Sequence, residues 1–260
     1  MKSVGIIGFG VMGEAFAACL AARNPAVSLL VYDEKKDRRD AAARRPGVKA
    51  AGSASEVLQG SEITVLSIKP QDLAAFAADV KPRGRPLISI LAGQTTDVIG
   101  TLLGTDQVAR FMPNLAAVKG ASMVGISFHA GATEKTREDA RWVAAALGTA
   151  LEIPEKLMGA MTGVSGSGLA FVFQFIHGLA LGGVAAGFDY RSALSIAVGT
   201  VEGAASLLKD GTHPLELASR VTSPAGTTIQ GVRALEKAGF TAAVMEAVEA
   251  AARKANEFER

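Results

Sequence analysis

In the first 154 residues the apolar positions gather into short blocks: 4–7, 27–32, 63–68, 87–91, 108–111, 122–128 and 149–153. Several of them stop at glycine or proline, as at Gly8, Pro70, Gly93 and Pro154. Blocks of this length with little polar alternation suit strands buried on both faces, and so predict a parallel sheet. Helical patterns separate them at 14–22, 71–80, 95–103 and 133–147. Thr133 is placed to cap the last of these, and Arg137 and Arg141 lie on its exposed face. Strands alternating with helices mean βαβ units with right-handed crossovers.

After Pro154 the strand pattern ends. Helices are expected at 157–162, 168–187, 190–209, 214–221, 227–238 and 241–258. The chain therefore divides into an α/β domain over 1–154 and an all-α domain over 155–260. The stretch 169–186 is apolar on every face and long enough to tempt a membrane assignment. Gln174 and His177 interrupt it, and Gly178, Gly182, Gly183 and Gly187 interrupt or flank it. Basic flanks of the kind that accompany membrane anchors are missing. A helix apolar all round is otherwise buried in protein, and about a hundred helical residues cannot cover it alone. The expectation is a homodimer core and no membrane.

Composition narrows the function. A net charge of +2 over 260 residues gives no ground for a nucleic-acid partner. The basic cluster Lys35, Lys36, Arg38, Arg39, Arg44 and Arg45 is broken by acids and reads as a solvated helix face. Cys19 is the single cysteine, so neither an intrachain disulfide nor a multi-cysteine metal site is expected. His129, His177 and His213 share no metal-ligand spacing, so no metal is expected. The first strand begins at once, leaving no room for a signal peptide, and the cytoplasm is the expected location.

The sharpest motif is Gly8-Phe9-Gly10-Val11-Met12-Gly13, directly after the first strand and opening the first helix. In such a turn the first glycine permits the tight bend, the second lets a pyrophosphate approach, and the third lets helix and strand pack closely. The helix start offers N–H groups and positive dipole to phosphate. Gly8, Phe9, Gly10, Val11, Met12 and Gly13 are thus candidate dinucleotide contacts, and the first domain reads as a Rossmann-type, doubly wound, mostly parallel sheet. Asp33 ends the second strand twenty positions after Gly13. It sits where an acid accepts ribose hydroxyls and repels a 2′-phosphate, which favours acceptance of NADH; Lys35 and Lys36 are near enough to offset that repulsion for NADPH. Lys69 and Pro70 follow one strand end, where ligands of open α/β sheets bind. Lys69 is either an anion contact or a surface lysine. Asn114 follows another strand end, and either orients the nicotinamide end of a cofactor or caps its own loop.

Four further stretches make the pattern specific: Ser67-Ile68-Lys69-Pro70-Gln71, Arg110-Phe111-Met112-Pro113-Asn114, Thr162-Gly163-Val164-Ser165-Gly166-Ser167-Gly168 and Ser223-Pro224-Ala225-Gly226-Thr227-Thr228-Ile229. In this order and spacing the chain resembles the pyrroline-5-carboxylate reductase family over essentially its whole length. The resemblance implies a helical dimerisation domain interleaved with a second copy, and a possible assembly of dimers. It implies NADPH- or NADH-dependent reduction of the C=N bond of 1-pyrroline-5-carboxylate to L-proline. It places Ser165, Ser167, Ser223, Ala225, Gly226, Thr227 and Thr228 around the small imine-carboxylate substrate. Within that set it makes Thr228 the catalytic hydroxyl and Thr227 the helix cap. A protonated imine is already electrophilic, so positioning the reactants serves in place of a strong acid–base pair.

The chain departs from the family pattern at Leu115, Gly159, Leu169 and Ala225. Ala225 puts a methyl beside the carboxylate turn and is strained there if its φ is positive. Another cyclic imine or related small acid, and a non-catalytic nucleotide-binding role, therefore stand as alternatives.

Overall fold

The computed structural model describes residues 2–80, 82 and 84–258. By internal contacts it separates into two compact units, one running to Gly166 and resuming at Ala250, the other Ser167–Glu249.

The first unit carries one eight-stranded sheet: β1 (Ser3–Ile7), β2 (Ser28–Tyr32), β3 (Val48–Ala50), β4 (Ile63–Leu66), β5 (Leu87–Ser89), β6 (Val108–Met112), β7 (Ser122–Phe128) and β8 (Gly148–Glu152). Their spatial order is β3-β2-β1-β4-β5-β6-β7-β8. All neighbours are parallel except β6 and β7. Only residues 113–121 join those two, too few for a crossover, so the chain turns back and pairs antiparallel.

Helices α1 (Val11–Arg23), α2 (Lys36–Ala43), α3 (Ala54–Gly60), α4 (Leu73–Asp79), α5 (Thr96–Leu103) and α6 (Glu134–Leu147) connect the strands. Adjacent strand residues feed opposite faces: Ile6 packs with Phe16, Leu20 and Val143, while Ile7 packs with Leu58, Leu73 and Ile99. A side chain at Gly5 would meet Val57 at 2.5 Å, so this strand glycine lets α3 lie close to the sheet. Thr133 caps α6 as expected, accepting the Thr136 N–H. The elements β3 and α3 have no counterpart in the reading of the sequence; both are short, and Val48-Lys49-Ala50 holds too little apolar pattern to register.

Beyond β8 lie a short α7 (Met158–Met161) and a π turn over Thr162–Gly166. The second unit holds α8 (Gly168–Ala185), α9 (Tyr190–Leu207), α10 (Pro214–Arg220), α11 (Thr227–Lys237) and most of α12 (Phe240–Glu257). Small residues let α8 and α9 approach: a Cβ on Gly183 would stand 2.9 Å from that of Ala193, and Ala180, Ala193 and Ala197 form the buried seam. The single chain leaves Phe173, Leu179, Leu181 and Val184 of α8 exposed. The helical run Glu155–Ala185 is long and apolar enough to cross a membrane by length and composition.

Candidate active site

The glycine turn after β1 is built by exclusion. Gly8 has φ +94°, and a Cβ there would stand 2.3 Å from the Ser67 carbonyl oxygen. A Cβ on Gly13 would stand 2.1 Å from the Gly8 carbonyl oxygen. Around Gly10 the space is open, its nearest neighbour being Arg38 Nη1 at 3.9 Å from the added carbon. Gly10 is also the N-cap of α1 and supplies no side chain to it, so the first N–H groups of this thirteen-residue helix face outward. A cleft of about 530 Å³ opens there, lined by Gly10, Val11, Glu14, Arg38, Arg44 and Arg45 among others. Open N–H groups, a helix dipole and three guanidinium groups fit a dinucleotide phosphate.

Asp33 is at the expected place, but its oxygens are engaged. Oδ2 accepts the Phe9 N–H at 2.7 Å and lies 3.4 Å from Arg38 Nη1; Oδ1 accepts the Lys35 N–H at 2.9 Å. The residue is only 4% exposed. Lys36 pairs with Asp40 at 2.7 Å on the surface. The basic charge in the cleft instead comes from α2 and the residues after it: Arg44 is exposed, and Arg45 pairs with Glu14. By pattern alone these arginines belong to a solvated face; the spacing Arg38, Arg44, Arg45, two helical turns that bring them back toward the glycine turn, is the signal that points to the cleft.

Lys69 is exposed beyond β4, with Pro70 opening a 3-10 turn. Asn114 caps the turn Leu115–Lys119, its Oδ1 accepting the Ala116 N–H at 3.0 Å. Its Nδ2 lies 3.0 Å from Ser165 Oγ and 3.2 Å from the Ser165 carbonyl oxygen. The structure thus joins Asn114 to Ser165, residues that stand in separate motifs of the sequence.

Another partnership has no signal in the sequence. Glu155 accepts both Thr96 N–H at 2.8 Å and Thr96 Oγ–H at 2.7 Å, and pairs with Arg110 Nη1 at 3.3 Å. Arg110 is only 1% exposed. At Gly159 a Cβ would lie 1.8 Å from Asn256 Oδ1, so the end of α12 fills the space of a side chain there.

In the second unit, Ser167 precedes α8 without giving it a side-chain cap. The turn before α11 holds Ala225 at φ +55°, the one non-glycine residue of positive φ among the described residues. Its N-cap is Gly226, with no side-chain cap bond. Thr227 is the first helical residue, not the cap expected of it, because the extended backbone that precedes the helix falls on Gly226. A Cβ on Gly226 would meet Ser223 Oγ at 2.2 Å. Among the described residues the half-buried Thr228 hydroxyl has no hydrogen-bond partner, and no group of three or more His, Cys, Asp or Glu is placed to hold a metal.

By its sheet order, glycine turn and uncapped α1, the first unit is a Rossmann-type dinucleotide-binding domain of the kind oxidoreductases carry. Residues 3–93 match the family model "NADP oxidoreductase coenzyme F420-dependent", and residues 155–258 match "Pyrroline-5-carboxylate reductase dimerisation". The chain is 37% identical to a pyrroline-5-carboxylate reductase of Aquifex aeolicus, across 97% of this chain and 96% of that protein. It is 40% identical to that of Synechocystis, across 98% and 97%. Among solved structures it is similar to the Streptococcus pyogenes enzyme (TM-score 0.89, 29% identity, 98% of each chain). It is also similar to the Plasmodium falciparum enzyme with NADP bound (TM-score 0.88, 26% identity, 100% of this chain and 98% of that one). The chain belongs to the pyrroline-5-carboxylate reductase family.

Proposed function

We propose that the protein reduces the C=N bond of 1-pyrroline-5-carboxylate to L-proline with NADPH or NADH. The observation that carries this reading is the uncapped amino end of α1 opening onto an arginine-lined cleft, in a chain of this family. The N–H groups of α1 hold the pyrophosphate, and Arg38, Arg44 and Arg45 hold the adenosine end. Reduced nicotinamide supplies the hydride when bound. The turn 223–228 presents N–H groups at the start of α11 to the substrate carboxylate. The Thr228 hydroxyl, without a hydrogen-bond partner among the described residues, hydrogen-bonds the ring nitrogen as imine becomes amine. Residues 155–260 form the substrate and dimerisation region. A second copy covers the apolar face of α8, so the protein is a soluble cytoplasmic homodimer, able to assemble further, with no membrane or nucleic-acid partner.

Ala225 favours a second reading in which a different cyclic imine is the substrate, since its methyl adds bulk to the carboxylate turn. Oxidation of reduced cofactor on addition of 1-pyrroline-5-carboxylate, with L-proline identified as product, tests the first. Turnover only with other imines selects the second. Cofactor binding without turnover of any imine overturns both.

A further inference from the structure

We infer that Asn114 is a positioning residue that fixes the π turn at Ser165, and is not a contact to the cofactor. An asparagine side chain has one acceptor oxygen and two N–H donors. Here the oxygen takes the Ala116 N–H at 3.0 Å. The amide nitrogen faces two acceptors of one residue, Ser165 Oγ at 3.0 Å and the Ser165 carbonyl oxygen at 3.2 Å. The amide nitrogen is therefore engaged inside the protein, at Ser165, and not held ready for a nicotinamide carboxamide or ribose.

The network continues past Ser165. The Ser165 hydroxyl donates onward to the Met123 carbonyl at 3.3 Å. The Asn114 backbone N–H donates to Ser122 Oγ at 2.9 Å, and that hydroxyl donates to the same Met123 carbonyl at 3.2 Å. One carbonyl on β7 thus gathers two hydroxyls, and Asn114 holds both of them.

What needs holding is the segment Thr162–Gly166. A π turn is an uncommon conformation, frequent at functional sites. This one contains Gly163 and Gly166, whose backbone freedom makes it costly to order. Within the segment Thr162 Oγ–H bonds back to the Met158 carbonyl at 2.9 Å. From outside it, the side-chain bonds come from Asn114. The Ser165 proton is committed to Met123, so what this turn offers a ligand is its shape and backbone, and Asn114 sets both. This inference rests on the proposed reading that Ser165 belongs to the substrate side of the site.

The test uses the full chain and compares Asn114→Ser, which keeps a capping hydroxyl for the Ala116 N–H but is too short to reach Ser165, with Asn114→Ala. Three quantities are read: KM for 1-pyrroline-5-carboxylate, NADPH Kd from nicotinamide fluorescence, and hydrogen exchange of the amides of 163–166. Both variants are expected to raise the imine KM about tenfold, to leave NADPH Kd within about twofold, and to speed exchange in the π turn. Should Asn114→Ala fail to fold, Asn114→Ser carries the test alone. A tenfold rise in NADPH Kd with unchanged imine KM overturns the inference, as does unchanged exchange at 163–166 in Asn114→Ser. If the wild-type protein turns over no imine, the functional reading has failed, and exchange with NADPH Kd still decides whether Asn114 is a strut.

Discussion

The backbone N–H of Phe9 donates to Asp33 Oδ2 at 2.7 Å, and both groups are buried. The acid at the end of β2 therefore ties down the glycine turn from inside. Its other oxygen takes the Lys35 N–H, so the carboxylate also fixes the start of α2. On that geometry Asp33→Ser strips the Phe9 N–H of its partner, at a cost of about 1–3 kcal/mol. We expect a lower melting temperature and weaker binding of NADH and NADPH alike, their Kd ratio changing less than about threefold. A shift of tenfold or more toward NADPH would show that the carboxylate faces the ribose.

On the proposed reading, selectivity for the phosphorylated cofactor falls to the arginines of the cleft. Arg38 is shared with Asp33 and Arg45 with Glu14, which leaves Arg44 the most available cation of the cleft. Arg44→Ala is expected to raise NADPH Kd about tenfold, equivalent to about 1.4 kcal/mol, and to leave NADH Kd nearly unchanged. The NADPH affinity should also fall with added salt, because the pairing is exposed to solvent. Equal losses for both cofactors in a titration would place Arg44 on the shared pyrophosphate instead.

The sequence revealed what local pattern encodes. The glycine turn was legible because Gly8 and Gly13 stand where no side chain fits, and the sheet was legible because its central strands are apolar on both faces. Thr133 was legible as a cap because a cap acts within three residues. What stayed hidden depends on distant partners. Asp33 has the right spacing for a ribose contact, and only the fold brings the Phe9 N–H to it. Glu155 meets Thr96 and Arg110 from far along the chain. The space a side chain at Gly159 would need is filled by Asn256, which comes from the other end of the sequence.

Asp139 on α6 gives a prediction in pH. Burial alone would raise its carboxyl, but hydrogen bonds from Lys135 and Lys2 outweigh that and hold it below the ordinary range. Lys2 stands just before β1, so the pair fastens the start of the chain to α6. A folded-state value below the unfolded one, about 3.9, means stability is contributed above that pH and lost as pH falls through the folded value. Asp139→Asn should melt earlier than wild type at pH 7, and the gap should narrow progressively as pH falls below about 4. A gap independent of pH between 3 and 7 would assign the effect to packing.

Thr227 and Thr228 separate by position. Thr227 is the first residue of α11 and gives it no cap bond, so Thr227→Ala should change neither melting temperature nor turnover appreciably. Thr228→Ala should keep stability and cofactor binding while turnover falls roughly tenfold to a hundredfold, the signature of a bond made in the transition state. Normal turnover per folded Thr228→Ala molecule would remove the hydroxyl from the mechanism.

Ala225 is the last test of the substrate turn. At φ +55° its Cβ crowds the backbone, a conformation that costs an L-residue roughly 1–2 kcal/mol and glycine almost nothing. Against this, glycine frees the unfolded chain by about 0.5–1 kcal/mol. Ala225→Gly should therefore be neutral to slightly stabilising, by up to about 1 kcal/mol in denaturant melts, where an alanine-to-glycine change elsewhere in a helix or strand destabilises. Its effect on catalysis discriminates between the two substrate readings. If 1-pyrroline-5-carboxylate is the natural substrate, the turn is already shaped for it, and the variant's KM should stay within about threefold of wild type. If the methyl selects a different imine, its removal should lower KM for 1-pyrroline-5-carboxylate about tenfold while the better wild-type substrate loses ground. Steady-state kinetics with both imines on the two proteins separates the cases, and a clear destabilisation of Ala225→Gly would show that the positive φ stores no strain.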